Sequence, residues 1–250
     1  MMRMSVLSLC LLASAACANV ETSKRPEARP DAITAQDDST EAQPEKKRGF
    51  LGLSLRPFLR SPDAARAGRQ KQKLRRQGAV CGDIAIQGDA IGQIRGRIQG
   101  CGIESAVRVQ SVSGVSLSTA SVMDCQTASA LKTWIDNSAK PAMRRTGGGL
   151  SQIRVAAHYA CRTRNNQKGR RISEHGKGRA IDISGFTLAD GSQITVLDGW
   201  RNRRQGKALK LMHKAACGPF GTVLGPNANK FHRDHFHFDT ARYRSGSYCK

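Results

Sequence analysis

Apolar residues along this chain change their spacing several times, and each change predicts a different element. From Ile84 to Ile103 the stretch IAIQGDAIGQIRGRIQGCGI punctuates isoleucines with glycines, a pattern of short strands and tight turns. AVRVQSVSGVSLS (106–118) alternates apolar with polar positions, as a half-buried strand or hairpin does. In SVMDCQTASALKTWIDNSAKPAM (121–143) the spacing turns helical. Ala128, Leu131, Trp134 and Ile135 form a stripe, and Asp124 or Thr127 stands where a cap belongs. Three glycines at 147–149 close that region. QIRVAAHYACR (152–162) reads as a strand, and DISGFTL and QITVLDGW flank Ala-Asp-Gly-Ser, a hairpin signature. GKALKLMHKAAC (206–217) predicts a helix, FGTVLGP (220–226) a strand and HFHFD (235–239) a short final strand. There is no internal repeat. Strands and helices mixed without regular alternation predict an α+β domain beginning near Cys81.

The first third of the chain has a different character. Residues 1–18 run from Arg3 through an apolar stretch, Val6–Leu12, to small residues ending at Ala18, which is the order of a secretory signal. Ala16-Cys17-Ala18 fits a small-x-small cleavage site. Ser14-Ala15-Ala16-Cys17 resembles a lipoprotein box lacking the usual Leu three positions before the cysteine, so Cys17 is a candidate for lipidation. Both outcomes place the protein outside the cytoplasm, in the periplasm or cell envelope. Residues 19–77 predict a disordered linker. Its first half is too poor in large apolar residues to offset the entropy of ordering. Its second half, from Lys46, is strongly basic around GFLGLSLRPFL (49–59). That segment is either a solvated tether or a surface that rests on an anionic membrane or polymer.

Charge adds a constraint on partners. A formal net charge of +22 implies attraction to polyanions. Aromatics make up only 5% of residues and are not interleaved with the basic runs, which counts against specific nucleic-acid binding by stacking. In an exported chain, Cys81, Cys101, Cys125, Cys161, Cys217 and Cys249 read as three disulfides. No C-x-x-C pair suggests a metal site instead, and the spacing leaves the connectivity open.

Two clusters carry chemistry: Ser173-Glu-His175-Gly-Lys-Gly178-Arg-Ala180-Ile-Asp182 and His232-Arg-Asp234-His235-Phe-His237-Phe-Asp239. Together they hold four of the six histidines. Two imidazoles and one carboxylate supply three ligands for a divalent zinc ion and leave a position for water. Gly176 and Gly178 permit a turn between His175 and Asp182. On an extended strand His235 and His237 share one face, opposite Phe236 and Phe238. An HxH pair alone is most often unrelated to metal; its meaning here comes from both clusters occurring in one exported domain.

S-x-H-x-x-G-x-A-x-D followed by a downstream HxH resembles the signature of zinc peptidases that include D-Ala-D-Ala carboxypeptidases and lysostaphin-type endopeptidases, and of the related hedgehog signalling domain. More narrowly, residues from about Cys81 to Cys249 resemble the extensin-like carboxyl-terminal domain family. The resemblance lies in GCGI, MDCQTASAL, YACRTRN, SEHGKGRAIDISGF, VLGP and HRDHFHFD. It implies one domain over residues 78–250, with a small antiparallel sheet flanked by helices around a zinc site. It also implies His175, Asp182 and His237 as zinc ligands, Asp234 as general base, and His235 as stabiliser of the oxyanion or orienter of water. Arg162 would hold a substrate carboxylate or carbonyl. Asp234 departs from the Glu that many relatives carry, which shortens its reach. The activity implied is hydrolysis of amide bonds in peptidoglycan peptides. The alternatives are an envelope module that keeps zinc for binding or stability, and a basic binder of nucleic acid through electrostatics alone.

Overall fold

The structure, a computed structural model, describes residues 62–250. The expected signal segment, Cys17 and the linker as far as residue 61 lie outside the described residues. Strand β6 (Ala180–Leu188) is buried along most of both faces and has neighbours on both edges, as a central strand must. One edge pairs antiparallel with β5 (Leu150–Ala157). The other pairs first with β9 (Phe236–Asp239) and further along with β7 (Gln193–Thr195). From β5 the sheet continues through β4 (Val115–Met123), β3 (Gly102–Val112), β2 (Asp83–Arg95) and β1 (Ala79–Val80). From β9 it continues through β8 (Thr222–Leu224) to β10 (Tyr248–Cys249). The pairs β4–β5 and β8–β10 are parallel and the others antiparallel.

The mixed α/β character matches the expectation, but the sheet has ten strands and is not small. One reason is β2. Its glycines do not end short strands; register shifts fall at Gln87/Gly88 and around Gly92, so they sit at bulges inside a single strand of thirteen residues. The β3–β4 hairpin is as expected, and Ser113 and Gly114 at its turn both have positive φ, which matches the strand twist. QITVLDGW is extended only as far as Thr195. The Thr195 hydroxyl accepts from the Asp198 N–H at 3.1 Å and starts a one-turn helix, α4 (Val196–Gly199). Pro62–Arg76, expected as linker, is helix α1; Ala, Arg, Gln, Lys and Leu are good helix formers, and Asp63 and the terminal basic residues suit the helix dipole. Among the described residues, no helix is long and apolar enough to cross a membrane.

The core fixes which face of β9 carries chemistry. Helix α2 (Cys125–Trp134) is capped by Asp124, which accepts from the Thr127 N–H at 2.7 Å. It runs on through a π-turn (Ile135–Ala139) into α3 (Lys140–Met143). Trp134 meets Phe238 edge-on at 5.1 Å and donates its indole N–H to the Met212 carbonyl, on α5 (Gln205–Ala216), at 2.8 Å. Phe220 stacks on Phe238 at 5.0 Å. With Phe236 and Phe238 sunk in this core, strand alternation turns His235 and His237 to the opposite face.

The six expected cysteines form three disulfides: Cys81–Cys125, Cys101–Cys161 and Cys217–Cys249. The first ties the β1–β2 turn to α2, the second ties the β2–β3 connection to the segment after β5, and the third ties α5 to β10.

Candidate metal centre

Three elements bring the expected ligands together. His175 stands in the 3-10 turn Glu174–Lys177, which closes on Gly178 in the left-handed region at φ 68°. Of the two glycines there only Gly178 needs its backbone freedom. Gly176 is small for a different reason: a Cβ would lie 3.0 Å from the Cys101 sulfur and 2.9 Å from Ile172. Asp182 on β6 is the direct cross-strand partner of His237 on β9. Register therefore sets the second and third ligands side by side.

The ligand atoms lie within 4.8 Å of one another. His175 Nε2 is 3.2 Å from His237 Nδ1 and 3.2 Å from one Asp182 oxygen, and the other Asp182 oxygen is 2.8 Å from His237 Nδ1. The outer nitrogens are also engaged. His175 Nδ1 lies 2.8 Å from the His158 carbonyl and, as that oxygen only accepts, donates to it. His237 Nε2 likewise donates to Asp239 at 3.1 Å. With each neutral ring's proton committed outward, two imidazole lone pairs and a carboxylate face one another. Such a set is repulsive unless a proton or a metal cation sits among them. Tetrahedral bonds of about 2.0–2.1 Å would separate ligand atoms by about 3.3–3.4 Å, close to the spacings present. The donor set therefore fits a divalent metal, with Asp239 and the His158 carbonyl as the outer partners that orient such ligands.

Asp239 and His158 were not singled out from the sequence. Asp239 had a signal, since it lies two residues beyond His237 and so on the same strand face; its Oδ1 is also fixed, accepting from the Ala241 N–H at 2.9 Å. The His158 carbonyl had none, because a backbone group has no residue type.

Electrostatics agree with this arrangement. Burial opposes charge on both partners. Hydrogen bonds from His175 and His237 nevertheless hold the Asp182 carboxyl well below the usual range, and those to Asp182 and Asp239 push His237 up to about 9. Without metal, His237 is therefore protonated at neutral pH. A raised histidine contributes stability that is complete below its ordinary value of 6.5 and is lost as pH rises through about 9. Metal-free protein is accordingly expected to lose stability towards urea between pH 7 and pH 10, and a His237→Gln variant should lack that component. An identical pH dependence in the two proteins would refute the assignment.

Other expected residues surround the centre. His235 directs Nε2 to 3.8 Å from Asp182, and its Nδ1 donates to Asp234 at 2.8 Å. Asp234 itself is 66% exposed and bonds to His235 rather than to the three-ligand cluster. Arg162 lines the same cleft, of about 880 Å³, and makes no ion pair among the described residues. His232, also in the cleft, approaches His235 and His237 at 5.2 and 5.7 Å between ring centres. Burial, then the charges of His237 and His235, pull it down to about 4, so it stays neutral. Its Nδ1–H donates to Asn229 at 2.8 Å.

No curated protein and no solved structure matches the chain. A family model described as extensin-like protein C-terminus matches residues 84–250, a span that includes every residue of the centre and all the disulfide cysteines except Cys81. By that match over two-thirds of its length, the chain belongs to the extensin-like protein C-terminus family.

Proposed function

We infer that the chain is a zinc-dependent peptidase of the cell envelope, hydrolysing amide bonds in peptidoglycan peptides, with His175, Asp182 and His237 as zinc ligands. The observation that supports it is the meeting of three lone-pair donors at the floor of a cleft, each held by an outer hydrogen bond or a strand register. Bound there, zinc supplies Lewis acidity toward water and an amide carbonyl. The remaining work falls to the protein's own groups. His235 Nε2 is placed to take a proton from attacking water and return it to the leaving amine. Asp234 holds His235 Nδ1, so it acts through that ring as a positioning residue and not as the base itself. The planar fork of Arg162 suits a substrate carboxylate or carbonyl. The leader-like start of the chain supports export, and its positive charge supports contact with peptidoglycan or another anionic envelope polymer. Membrane-surface contact through the basic linker and lipidation at Cys17 belong to the same reading.

The exposed position of Asp234 favours one other reading, an envelope module that keeps its metal without catalysis. Incubating zinc-loaded full-length protein with purified peptidoglycan and measuring newly released amino groups separates the two. The peptidase reading expects release by the wild type, reduced about 10²–10⁴-fold in His235→Ala. Absence of release by a fully loaded wild type would leave the binding module.

A further inference from the structure

Beside the metal cleft lies a second pocket, of about 580 Å³, lined by Trp200, Arg201, Asn227, Lys230 and Arg233 among others. Asn229 lines both pockets, and the 3-10 turn Lys230–His232 separates them, with Lys230 on one side and Phe231 and His232 on the other. Arg201, Lys230 and Arg233 are exposed, and none of them pairs with a carboxylate among the described residues. Three cations thus line the pocket together with apolar surface from Trp200, Leu197 and Pro226, while Asn227 and Asn229 offer amides. Trp200 is fixed in that wall, donating its N–H to Asn227 at 3.2 Å and meeting Phe236 edge-on at 5.7 Å.

The geometry points to a binding site for an acidic peptide, whose carboxylates are held by Arg201, Lys230 and Arg233 while the chain runs past Asn229 into the metal cleft. Carboxylates on short aliphatic stems match cations interspersed with apolar surface, and the side-chain amides match peptide groups. The identity of the peptide as substrate rests on the peptidase reading. Binding in the pocket does not, because the pocket contains no metal ligand. This subsite would select substrates bearing free carboxylates beyond the bond being cut.

Both tryptophans of the chain are buried, but only Trp200 lines this pocket, so the change in indole fluorescence on adding ligand is the readout. Full-length, metal-free protein is titrated with blocked tetraglutamate, with blocked tetraglutamine and with inorganic phosphate. Tetraglutamate should give a saturable change, weakened about tenfold or more in Arg201→Gln/Lys230→Gln/Arg233→Gln and further by added salt. The other two probes should give little change, and a variant that removes three exposed cations elsewhere, Arg97→Gln/Arg144→Gln/Arg145→Gln, should bind like the wild type. Equal binding of tetraglutamine, equal binding of phosphate, or an unaffected pocket variant would overturn the proposal, as would equal weakening in the remote triple variant. Binding here without peptidoglycan cleavage would count against the peptidase reading alone; cleavage without binding here would count against this site alone.

Discussion

Asp182→Ala is expected to bind zinc at least about 100-fold more weakly than the wild type, beyond the 10–100-fold typical of losing an outer partner. Asp182 faces both imidazoles, at 3.2 and 2.8 Å, so its removal takes away a ligand and the charge that balances the cation. Asp239→Ala should fall within the outer-partner range, about 10–100-fold, because it frees the far side of the His237 ring without removing a ligand. Competition with a chromophoric chelator gives both values. If Asp239→Ala proved as damaging as Asp182→Ala, Asp239 would be a ligand rather than an orienting group. If Asp182→Ala bound zinc normally, the assignment of Asp182 would be wrong.

The second large effect concerns the Cys101–Cys161 bridge. It closes a loop with a sequence separation of 60 residues, and chain entropy puts its removal at about 4 kcal/mol. It also does something local. The Cys101 sulfur packs against the backbone of Gly176, next to His175, and Cys161 precedes Arg162. A Cys101→Ser/Cys161→Ser variant should therefore lose both stability in urea and zinc affinity. Cys81→Ser/Cys125→Ser, whose bridge packs on the hydrophobic core, should lose comparable stability while folded protein keeps near-wild-type affinity. Equal zinc affinity in the two double variants would show that the Cys101–Cys161 bridge supports the fold without shaping the site.

How much of this could be read in the sequence depends on whether the signal was a pattern or a partner. Phe236, His237 and Phe238 alternate, and a period of two fixes which side chains enter the core and which face the cleft. The hairpin at Ser113-Gly114 and the cap at Asp124 are similarly local. Gly88 and Gly92 misled because glycine marks bulges and turns alike, and only the partner strand β3 decides between them. The resemblance implied Asp234 as general base. Its short side chain reaches the neighbouring imidazole, a contact that sequence spacing does not reveal. The pairing of cysteines and the placing of Asp182 opposite His237 are long-range facts, set by sheet register and by core packing. The pocket beside the cleft likewise brings Arg201 together with Lys230 and Arg233 from a turn some thirty residues further along the chain.

The central claim is that two imidazoles and one carboxylate, drawn from a turn and two neighbouring strands, share one divalent metal. Metal content of the full-length protein, loaded with zinc and dialysed extensively, tests it most directly. One zinc per chain should remain in the wild type and be lost from both His175→Ala and His237→Ala while each variant stays folded by circular dichroism. Retention of zinc by those variants, or a folded wild type that retains none, would contradict the account.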